Sequence, residues 1–313
     1  MARTRIIVDT DPGQDDAVAL LLALAEREAL DVLGITTVAG NVPLPLTTSN
    51  ALRIVELARR DDVPVFAGAS QPLLRELTTA EFICGADGLE GAGLPPPRHS
   101  AQSQHAVAFL IGTLAAAAER SVTLCPLGPL TNIALAFAQE PTLAAKVERI
   151  VLMGGARDLG NVTPAAEFNF YVDPHAAAMV LRLPVPIVLF GLHATHQAMG
   201  TPERVNRIAE LGTPVARAVQ GMLHRPRPGG IDRFGVPGHP LHDPLVIAYV
   251  LWPDLFTGRD CHVEVETAGD ATIGRSTIDW WGSRRKKPNA HVIGHVDAAA
   301  FYERLTTSLA KLS

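Results

Sequence analysis

This sequence of 313 residues has no excess of positive charge and contains few cysteines. Its 27 basic residues are outnumbered by 32 acidic ones, and the net charge of −5 offers no general attraction to nucleic acid or to an anionic membrane. The three cysteines, Cys84, Cys125 and Cys261, are widely spaced and form no CxxC pair. This spacing argues against zinc and against a disulfide framework, and it predicts plain thiols in a reducing compartment.

Long apolar runs and a secretory leader are also lacking. The longest purely apolar stretches, such as residues 17–25, are much shorter than the roughly 20 residues that a membrane-spanning helix requires. The N-terminal residues MARTRIIVDTDPG enter a strand-like segment without the apolar region of a signal peptide. We therefore expect no membrane anchor and a cytoplasmic location.

Short β-branched segments alternate with longer helical patterns in the first two thirds of the chain, which is typical of βαβ units and a parallel sheet. The predicted strands there are Arg5–Val8, Val32–Val38, Val63–Phe66, Val122–Leu127, Arg149–Met153 and Ile187–Phe190. The predicted helices between them are Asp15–Arg27, Ser49–Arg59, Ala106–Glu119, Leu130–Gln139 and Pro174–Leu183.

The remaining third of the chain has a mixed pattern. Its predicted helices and strands are helices Pro202–Glu210, Pro214–Leu223, Asp243–Leu251 and Val296–Leu312, and strands Cys261–Val265, Thr277–Trp281 and one near His291. Two segments rich in Pro and Gly, Gly85–Pro97 and Pro226–Pro240, are predicted loops. The sequence thus predicts a single domain over residues 1–313 of the α/β class. We expect an open, mostly parallel, Rossmann-like sheet flanked by helices, with a smaller mixed C-terminal portion.

Four aspartates, Asp9, Asp11, Asp15 and Asp16, lie within eight residues directly after the apolar run of the first predicted strand. Like charges this close raise one another's pKa and disfavour folding unless a cation or good hydrogen-bond donors compensate them. The cluster therefore suggests a metal site. The simpler alternative is a helix N-cap with solvated charges, for which one or two acidic residues suffice.

Polar residues also follow the ends of several other predicted strands. Asn41 follows the second strand, the motif GPLTN follows the strand that ends at Leu127, and Gly154, Gly155 and Asn161 follow the strand that ends at Met153. In open α/β sheets, ligands bind outside the carboxyl ends of the strands. We expect these residues and the aspartates, Asp9 included, to converge on one rim of the sheet.

Taken in order, the motifs of this chain resemble those of the inosine-uridine nucleoside hydrolase family over nearly its whole length. They are DTDPGQDDA, TTVAGN, GPLTNIA, VLMGGA, AEFNF and HDP. The ordered series is much more specific than DTDPG alone. The resemblance implies a nucleoside hydrolase-like fold and calcium-dependent hydrolysis of the N-glycosidic bond of ribonucleosides to ribose and a free base. It also implies a homodimer or homotetramer.

The resemblance assigns roles to individual residues of this chain. It makes Asp11, Asp16, Asp243 and the backbone carbonyl of Leu127 calcium ligands, and such oxygen-only ligands suit a hard cation. Asp11 would also be the general base that accepts a proton from a calcium-bound water, and His242 would face the nucleobase and assist its departure. A purely structural His242 is the alternative. The substrate-binding positions implied by the resemblance are Asp15, Asn41, Met153, Asn161, Glu167, Phe168 and Asn169.

Two positions depart from the pattern of the family. Leu127 stands where many members have Thr, but a backbone carbonyl remains available as a ligand. Cys84 stands in the segment CGADGLEG where many members carry His. A neutral thiol is a poor substitute for a histidine that contacts substrate, so the sequence leaves the preference between purine and pyrimidine bases open.

Two other functions compete with hydrolysis. An apolar strand followed by DTD also resembles haloacid dehalogenase-like, magnesium-dependent phosphatases, whose chemistry needs a phosphate-binding lysine. None of the lysines of this chain lies in a convincing motif at a strand end; they are Lys146, Lys286, Lys287 and Lys311. The second alternative is a calcium-dependent nucleoside-binding or sugar-binding protein without turnover, which the presence of both Asp11 and His242 disfavours.

Overall fold

The computed structural model describes residues 3–224 and 238–312, so most of the second predicted loop lies outside the described residues. The strands are β1 (Thr4–Thr10), β2 (Leu30–Thr37), β3 (Val65–Ala67), β4 (Val122–Pro126), β5 (Val147–Met153), β6 (Ile187–Phe190), β7 (Met199–Gly200), β8 (His239–Pro240), β9 (Phe256–Cys261), β10 (Val263–Val265), β11 (Ser276–Ile278) and β12 (Ala290–Val296).

Helices precede or follow most of these strands. The α-helices are α1 (Gln14–Ala25), α2 (Leu44–Leu57), α3 (Glu81–Cys84), α4 (Ala106–Ala116), α5 (Thr131–Gln139), α6 (Phe168–Val172), α7 (Pro174–Val180), α8 (Leu192–Thr195), α9 (Pro202–Ala209), α10 (Pro214–Leu223), α11 (Pro244–Leu251) and α12 (Ala298–Leu309). Two 3₁₀ turns cover Pro141–Lys146 and Pro253–Leu255. Within the described ranges, every helix is too short or too polar to cross a lipid bilayer.

The central sheet has eight strands in the order β3-β2-β1-β4-β5-β6-β12-β9, and only the edge strand β9 is antiparallel to its neighbour. The chain builds the sheet outwards from β1 in one direction, then returns to add β4 on the other side. Sheets with this order bind ligands in the crevice beside the first strand, outside the carboxyl ends. The predicted mostly parallel α/β sheet is confirmed.

Both faces of the sheet are covered by apolar packing. On β1, Ile6 and Val8 belong to the hydrophobic cluster of one face, whereas Ile7 belongs to the cluster of the other. The same alternation places Cys125 and Leu124 of β4 on opposite faces. A parallel strand that is buried on both faces reads as a continuous apolar run, which is why these strands were predictable.

Helix α1 lies in the middle of one layer and contacts α2, α10, α11 and α12. All of its residues except Asp15 are buried, so it lacks a polar face. This burial holds the N-terminal end of α1, and the aspartates there, firmly against the end of β1.

The six strands predicted in the first two thirds of the chain are confirmed, with ends that differ by a few residues. The predicted strand Cys261–Val265 is wrong as a single unit. It is interrupted at His262, so that β9 joins the central sheet while β10 pairs with β11 in a separate two-stranded ribbon. The segment Gly85–Pro97 contains no helix or strand, as predicted.

The burial of α1 leads to a stability prediction. Leu21 is fully buried in α1, whereas Leu74 is 76% exposed. We expect Leu21→Ala to lower the free energy of unfolding by about 2–5 kcal/mol, because it removes buried methyl groups and leaves a cavity. The control, Leu74→Ala, should change it by less than roughly 0.5 kcal/mol. Urea denaturation measures both, and similar losses would contradict the central position of α1.

Candidate functional site

The aspartates follow the end of β1 because Pro12 and Gly13 turn the chain directly into α1. Asp16, in the first turn of α1, accepts hydrogen bonds from the Thr10 hydroxyl at 2.6 Å and from the Gly13 N–H at 3.1 Å. Asp16 by itself therefore caps the N-terminus of α1, which is the role that the simpler alternative gave to these carboxylates. The other carboxylates of the cluster require a different explanation.

Asp243, at the start of α11, brings a carboxylate from a distant part of the chain into this cluster. One oxygen from each of Asp15, Asp16 and Asp243 lies within 4.8 Å of the other two, and among the described residues this is the group that could hold a metal ion. Two oxygens bound to one Ca²⁺ at about 2.3–2.6 Å can be up to about 5 Å apart. The spacing and the carboxylate ligands therefore fit a single hard cation.

The electrostatics of the cluster also call for a cation. Burial raises the pKa of Asp11, of Asp16 and of Asp243 above the usual range, and neighbouring carboxylates raise these pKa values further. Asp16 and Asp243 are close enough to hydrogen-bond to each other through their carboxyl groups. The buried carboxylates cannot all be ionised at neutral pH unless positive charge compensates them.

Asp11 lies beside the trio and is held by the loops that follow β2 and β4. Its Oδ2 accepts a hydrogen bond from the Asn41 N–H at 2.7 Å. The loops approach so closely that a Cβ atom on Gly40 would lie 2.1 Å from Asp11 Oδ2, and one on Gly128 would lie 2.2 Å from Oδ1. Both glycines are therefore required for the carboxylate of Asp11 to occupy this position.

Asn41 holds two of the aspartates in place. Its side-chain Nδ2 donates to the backbone carbonyl of Asp11 at 3.1 Å and to Asp16 Oδ2 at 3.1 Å. The amide hydrogens of Asn41 are thus directed at the acidic cluster. The structure brings Asn41 to the site, and its predicted contact with substrate remains a prediction.

Asn169 connects the ends of β4 and β5. Its Nδ2 donates to the carbonyl oxygen of Leu127 at 2.7 Å and to that of Met153 at 3.2 Å. A carbonyl oxygen has two lone pairs, so the carbonyl of Leu127 can accept this bond and still act as a ligand. Because both amide hydrogens of Asn169 are directed at carbonyls, its Oδ1 is the atom that can accept a hydrogen bond from a bound hydroxyl.

Glu167 fixes the loop that leads from β5 to α6. Its Oε1 accepts from the Asn169 N–H at 2.9 Å, and its Oε2 accepts from the Gly155 N–H at 2.8 Å and from the Phe170 N–H at 3.2 Å. Burial nevertheless raises the pKa of Glu167 to about 7. Asn161 adds a fourth contact, since its Oδ1 accepts from the N–H of half-buried Phe168 at 2.9 Å.

His242 lies beside the acidic cluster, and its predicted role towards the nucleobase stays a prediction. Its backbone N–H donates to Asp15 Oδ2 at 3.3 Å. Its ring nitrogen Nδ1 lies 2.7 Å from the hydroxyl oxygen of Thr195, which is fully buried. The residue is thereby held both through its backbone and through its ring.

Cys84 lies in α3, beside the loop of Asn41. The buried Sγ contacts the carbonyl of Ala80 at 3.2 Å and that of Asn41 at 3.7 Å, and the Ala80 N–H donates to the Asn41 carbonyl at 2.8 Å. The thiol thus helps to connect α3 to the site. Both contacts are with backbone carbonyls, and the larger side chain of a histidine could not make them in the same geometry.

Asp9 does not lie on the rim, which corrects the expectation drawn from the sequence. It is buried beneath the rim, where its Oδ1 accepts from Asn132 Nδ2 at 2.8 Å and from the Thr36 hydroxyl, and burial raises its pKa to about 7. Asn132 and Thr195 are the supporting residues that sequence reasoning missed. Asn132 lies in the GPLTN motif, which is the signal that could have found it.

The sequence also matches known proteins. The family model described as inosine-uridine preferring nucleoside hydrolase matches residues 6–303. Among curated relatives, the pyrimidine-specific ribonucleoside hydrolase RihA of Shewanella sp. (strain ANA-3) is 46% identical over 311 residues, which cover 97% of this chain and 96% of the relative.

Solved structures agree with this match. A plant nucleoside hydrolase, the PpNRh1 enzyme, superposes with a TM-score of 0.88 at 32% identity and covers 99% of both chains. A purine-preferring ribonucleoside hydrolase from Gardnerella vaginalis superposes with a TM-score of 0.88 at 29% identity and covers 98% of both chains. The similarity therefore extends over the whole described sheet and its helices.

The close approach of two loops to Asp11 gives a prediction with a matched control. We expect Gly128→Ala to displace the Asp11 carboxylate and to weaken divalent-cation binding at least about tenfold, because the new Cβ would overlap Oδ1. The same change at Gly112, which has open space around it in α4, should leave binding unchanged. Isothermal titration calorimetry with Ca²⁺ measures both variants. Unchanged binding by Gly128→Ala would show that the position of Asp11 does not matter for the cation.

Proposed function

This chain belongs to the inosine-uridine preferring nucleoside hydrolase family and is therefore a nucleoside hydrolase; we propose that it cleaves the N-glycosidic bond of ribonucleosides by adding water at the anomeric carbon. The observation that carries this proposal is the convergence of Asp11, Asp15, Asp16 and Asp243 beside the end of β1. This is the crevice in which a sheet of this strand order binds its ligand.

We propose Ca²⁺ as the cation of this site, held by Asp11, Asp16, Asp243 and the carbonyl of Leu127. Asp15 belongs to the carboxylate trio with Asp16 and Asp243, and we propose that it also contacts the ribose. When bound, the cation would neutralise the carboxylates, lower the pKa of a coordinated water and hold the two ribose hydroxyls. Its oxygen-rich, strongly acidic surroundings support a hard divalent ion rather than a softer metal.

Asp11 is the proposed general base. Its carboxylate is fixed by the Asn41 N–H and enclosed by the two glycine loops, so its oxygens keep a constant orientation. A base must lie within hydrogen-bond reach of the proton that it removes, and such fixed geometry favours transfer from the attacking water. Asp11 then holds that proton until solvent removes it.

The ribose is proposed to bind to polar groups with complementary roles. Asn169 offers Oδ1 as an acceptor, and Asn161 offers its Nδ2 as a donor because its Oδ1 is used by the Phe168 N–H. Glu167 fixes the loop that carries Asn169, and buried Met153 is the proposed apolar floor beneath the sugar. Hydrogen bonds that strengthen as the ring flattens towards an oxocarbenium-like state would lower the barrier.

His242 and Phe168 are proposed to act on the nucleobase side. His242 is anchored to Asp15 and Thr195, and a positioned histidine can stabilise the base as it departs. Half-buried Phe168 offers an aromatic surface next to Asn169, one of the proposed ribose-binding residues. If His242 were purely structural, Phe168 would remain on the nucleobase side, and its side chain cannot donate a hydrogen bond to the departing base.

We propose pyrimidine ribonucleosides as the preferred substrates. The supporting observation is that the RihA relative with 46% identity is described as pyrimidine-specific, whereas the purine-preferring structure shares 29% identity. The phosphatase alternative is not supported by the family match. The expected homodimer or homotetramer and the cytoplasmic location stay predictions, and a binding protein without turnover is excluded only by measured product release.

A panel of nucleosides tests the function directly. Purified protein with Ca²⁺ should release reducing sugar from uridine and cytidine faster than from inosine or adenosine, and it should do so in buffer without phosphate. Since water is the nucleophile, added phosphate should leave the rate unchanged. Activity that requires phosphate would indicate a phosphorylase, and binding without product release would indicate the non-catalytic alternative.

The assignment of the cation predicts a linked loss of binding and stability. Asp243→Asn should reduce bound Ca²⁺ and lower the Tm measured in Ca²⁺, because a ligand that binds only the folded state stabilises it by about 2.7 kcal/mol at a hundred times its Kd. The matched control is Asp270→Asn, since Asp270 is exposed and lies outside the carboxylate trio. Elemental analysis and calorimetry with and without chelator provide the measurements. A wild-type protein that is active without any divalent ion would overturn the assignment.

The role of Asp11 is tested by Asp11→Asn, which keeps the shape of the side chain. Loss of a general base alone should lower kcat by about 10²–10⁴-fold, and weaker cation binding adds to that loss. Steady-state kinetics at saturating Ca²⁺ separates the two effects. A variant that recovers wild-type kcat at high Ca²⁺ would show that Asp11 serves only as a ligand.

A further inference from the structure

The hydroxyl of Thr195 makes a contact that the proposed reaction does not yet use. Thr195 is the last residue of α8, is 0% exposed, and places Oγ1 2.7 Å from Nδ1 of His242. A buried hydroxyl costs free energy unless it is hydrogen-bonded, whereas a valine of the same shape carries no such cost. The contact with His242 therefore identifies what the hydroxyl does at this position.

Two acceptors lie near the hydroxyl, and their distances bear on the direction of this hydrogen bond. Thr195 has one hydroxyl hydrogen, and the candidate acceptors are His242 Nδ1 at 2.7 Å and the Leu192 carbonyl at 3.5 Å. The first distance is typical of an O–H donor, and the second exceeds the usual range. The Nδ1 atom is therefore the nearer acceptor for the hydroxyl hydrogen, and a neutral imidazole whose Nδ1 accepts this bond must carry its own hydrogen on Nε2.

The ring is also fixed in space. The His242 N–H donates to Asp15 Oδ2 at 3.3 Å, so the backbone is tied to the acidic cluster while Nδ1 is tied to α8. Because Nδ1 is committed to Thr195, a contact between the ring and a bound nucleobase is made through Nε2. The backbone bond fixes the position of His242, while the contact of Nδ1 with Thr195 is the one that orients the ring and bears on its tautomer.

We propose that Thr195 is a positioning residue that keeps His242 in its Nε2–H tautomer, so that the neutral ring donates a hydrogen bond to the departing nucleobase. This rests on the proposed function, in which His242 faces the base. The base leaves with the electron pair of the N-glycosidic bond, the Nε2–H hydrogen bond stabilises that charge, and solvent water later protonates the base. His242 keeps its proton throughout, and a pyrimidine carbonyl oxygen is a suitable acceptor.

The tautomer can be measured without any substrate. Long-range ¹H–¹⁵N NMR spectra distinguish protonated from unprotonated ring nitrogens, and the signals of His242 are those that disappear in His242→Gln. We expect an unprotonated Nδ1 and a protonated Nε2 in the wild type at neutral pH, and a mixture of tautomers in Thr195→Val. A wild-type ring with hydrogen on Nδ1, or an unchanged spectrum in Thr195→Val, would overturn the proposal.

Kinetics with two leaving groups tests the consequence for the reaction. Thr195→Val should lower kcat for uridine by roughly ten- to a hundredfold but have little effect on p-nitrophenyl riboside, whose leaving group needs no donor. Thr195→Ser, which keeps the hydroxyl, should retain most of the activity on both. Equal losses on the two substrates, or a Ser variant as impaired as the Val variant, would reduce Thr195 to a structural residue.

The two experiments also separate this proposal from the function on which it rests. Wild-type protein that hydrolyses no nucleoside would overturn the proposed function and with it the role of His242 towards the base. The NMR spectra would still decide whether Thr195 sets the tautomer. A wild-type ring with hydrogen on Nδ1 would overturn the proposal by itself, so the proposal stays falsifiable even if Thr195→Val does not fold.

Discussion

The mutual repulsion of buried carboxylates is the constraint on which the rest of this site depends. Asp11, Asp16 and Asp243 are almost completely removed from water, and burial and neighbouring negative charge raise the pKa of each. Such an arrangement opposes folding unless something positive is bound. The surrounding hydrogen bonds from Thr10, Gly13 and Asn41 hold the oxygens in place for that purpose.

The fold supplies the position of this cluster. Strand β1 lies between β2 and β4, and the chain leaves it in one direction before returning on the other side. The loops after β2 and β4 therefore enclose the residue that follows β1, and only glycine permits their approach to Asp11. Polar residues after β5 add to this end of the sheet, where Asn169 binds the carbonyl of Leu127 and Glu167 binds the N–H of Gly155.

Much of this could be predicted from sequence because its signals are local. Buried parallel strands read as apolar runs, and Asp11, Asp15 and Asp16 stand next to one of them. The supporting contacts were harder to predict because they join distant segments. Asn132 reaches Asp9 across the sheet, and Thr195 reaches His242 from another helix, so neither partner is evident from spacing. The division of Cys261–Val265 between two sheets was likewise set by tertiary pairing.

The distance in sequence between the parts of the site also affects how the protein folds. Asp15 and His242 meet although 227 positions separate them, so the acidic cluster exists only after α11 has packed against α1. A cation that needs the whole cluster has nothing comparable to bind in an early, partly folded chain. Contacts that form after the transition state slow unfolding and leave the folding rate nearly unchanged. Bound cation should therefore slow unfolding and extend the lifetime of the native state, with little effect on the rate of folding.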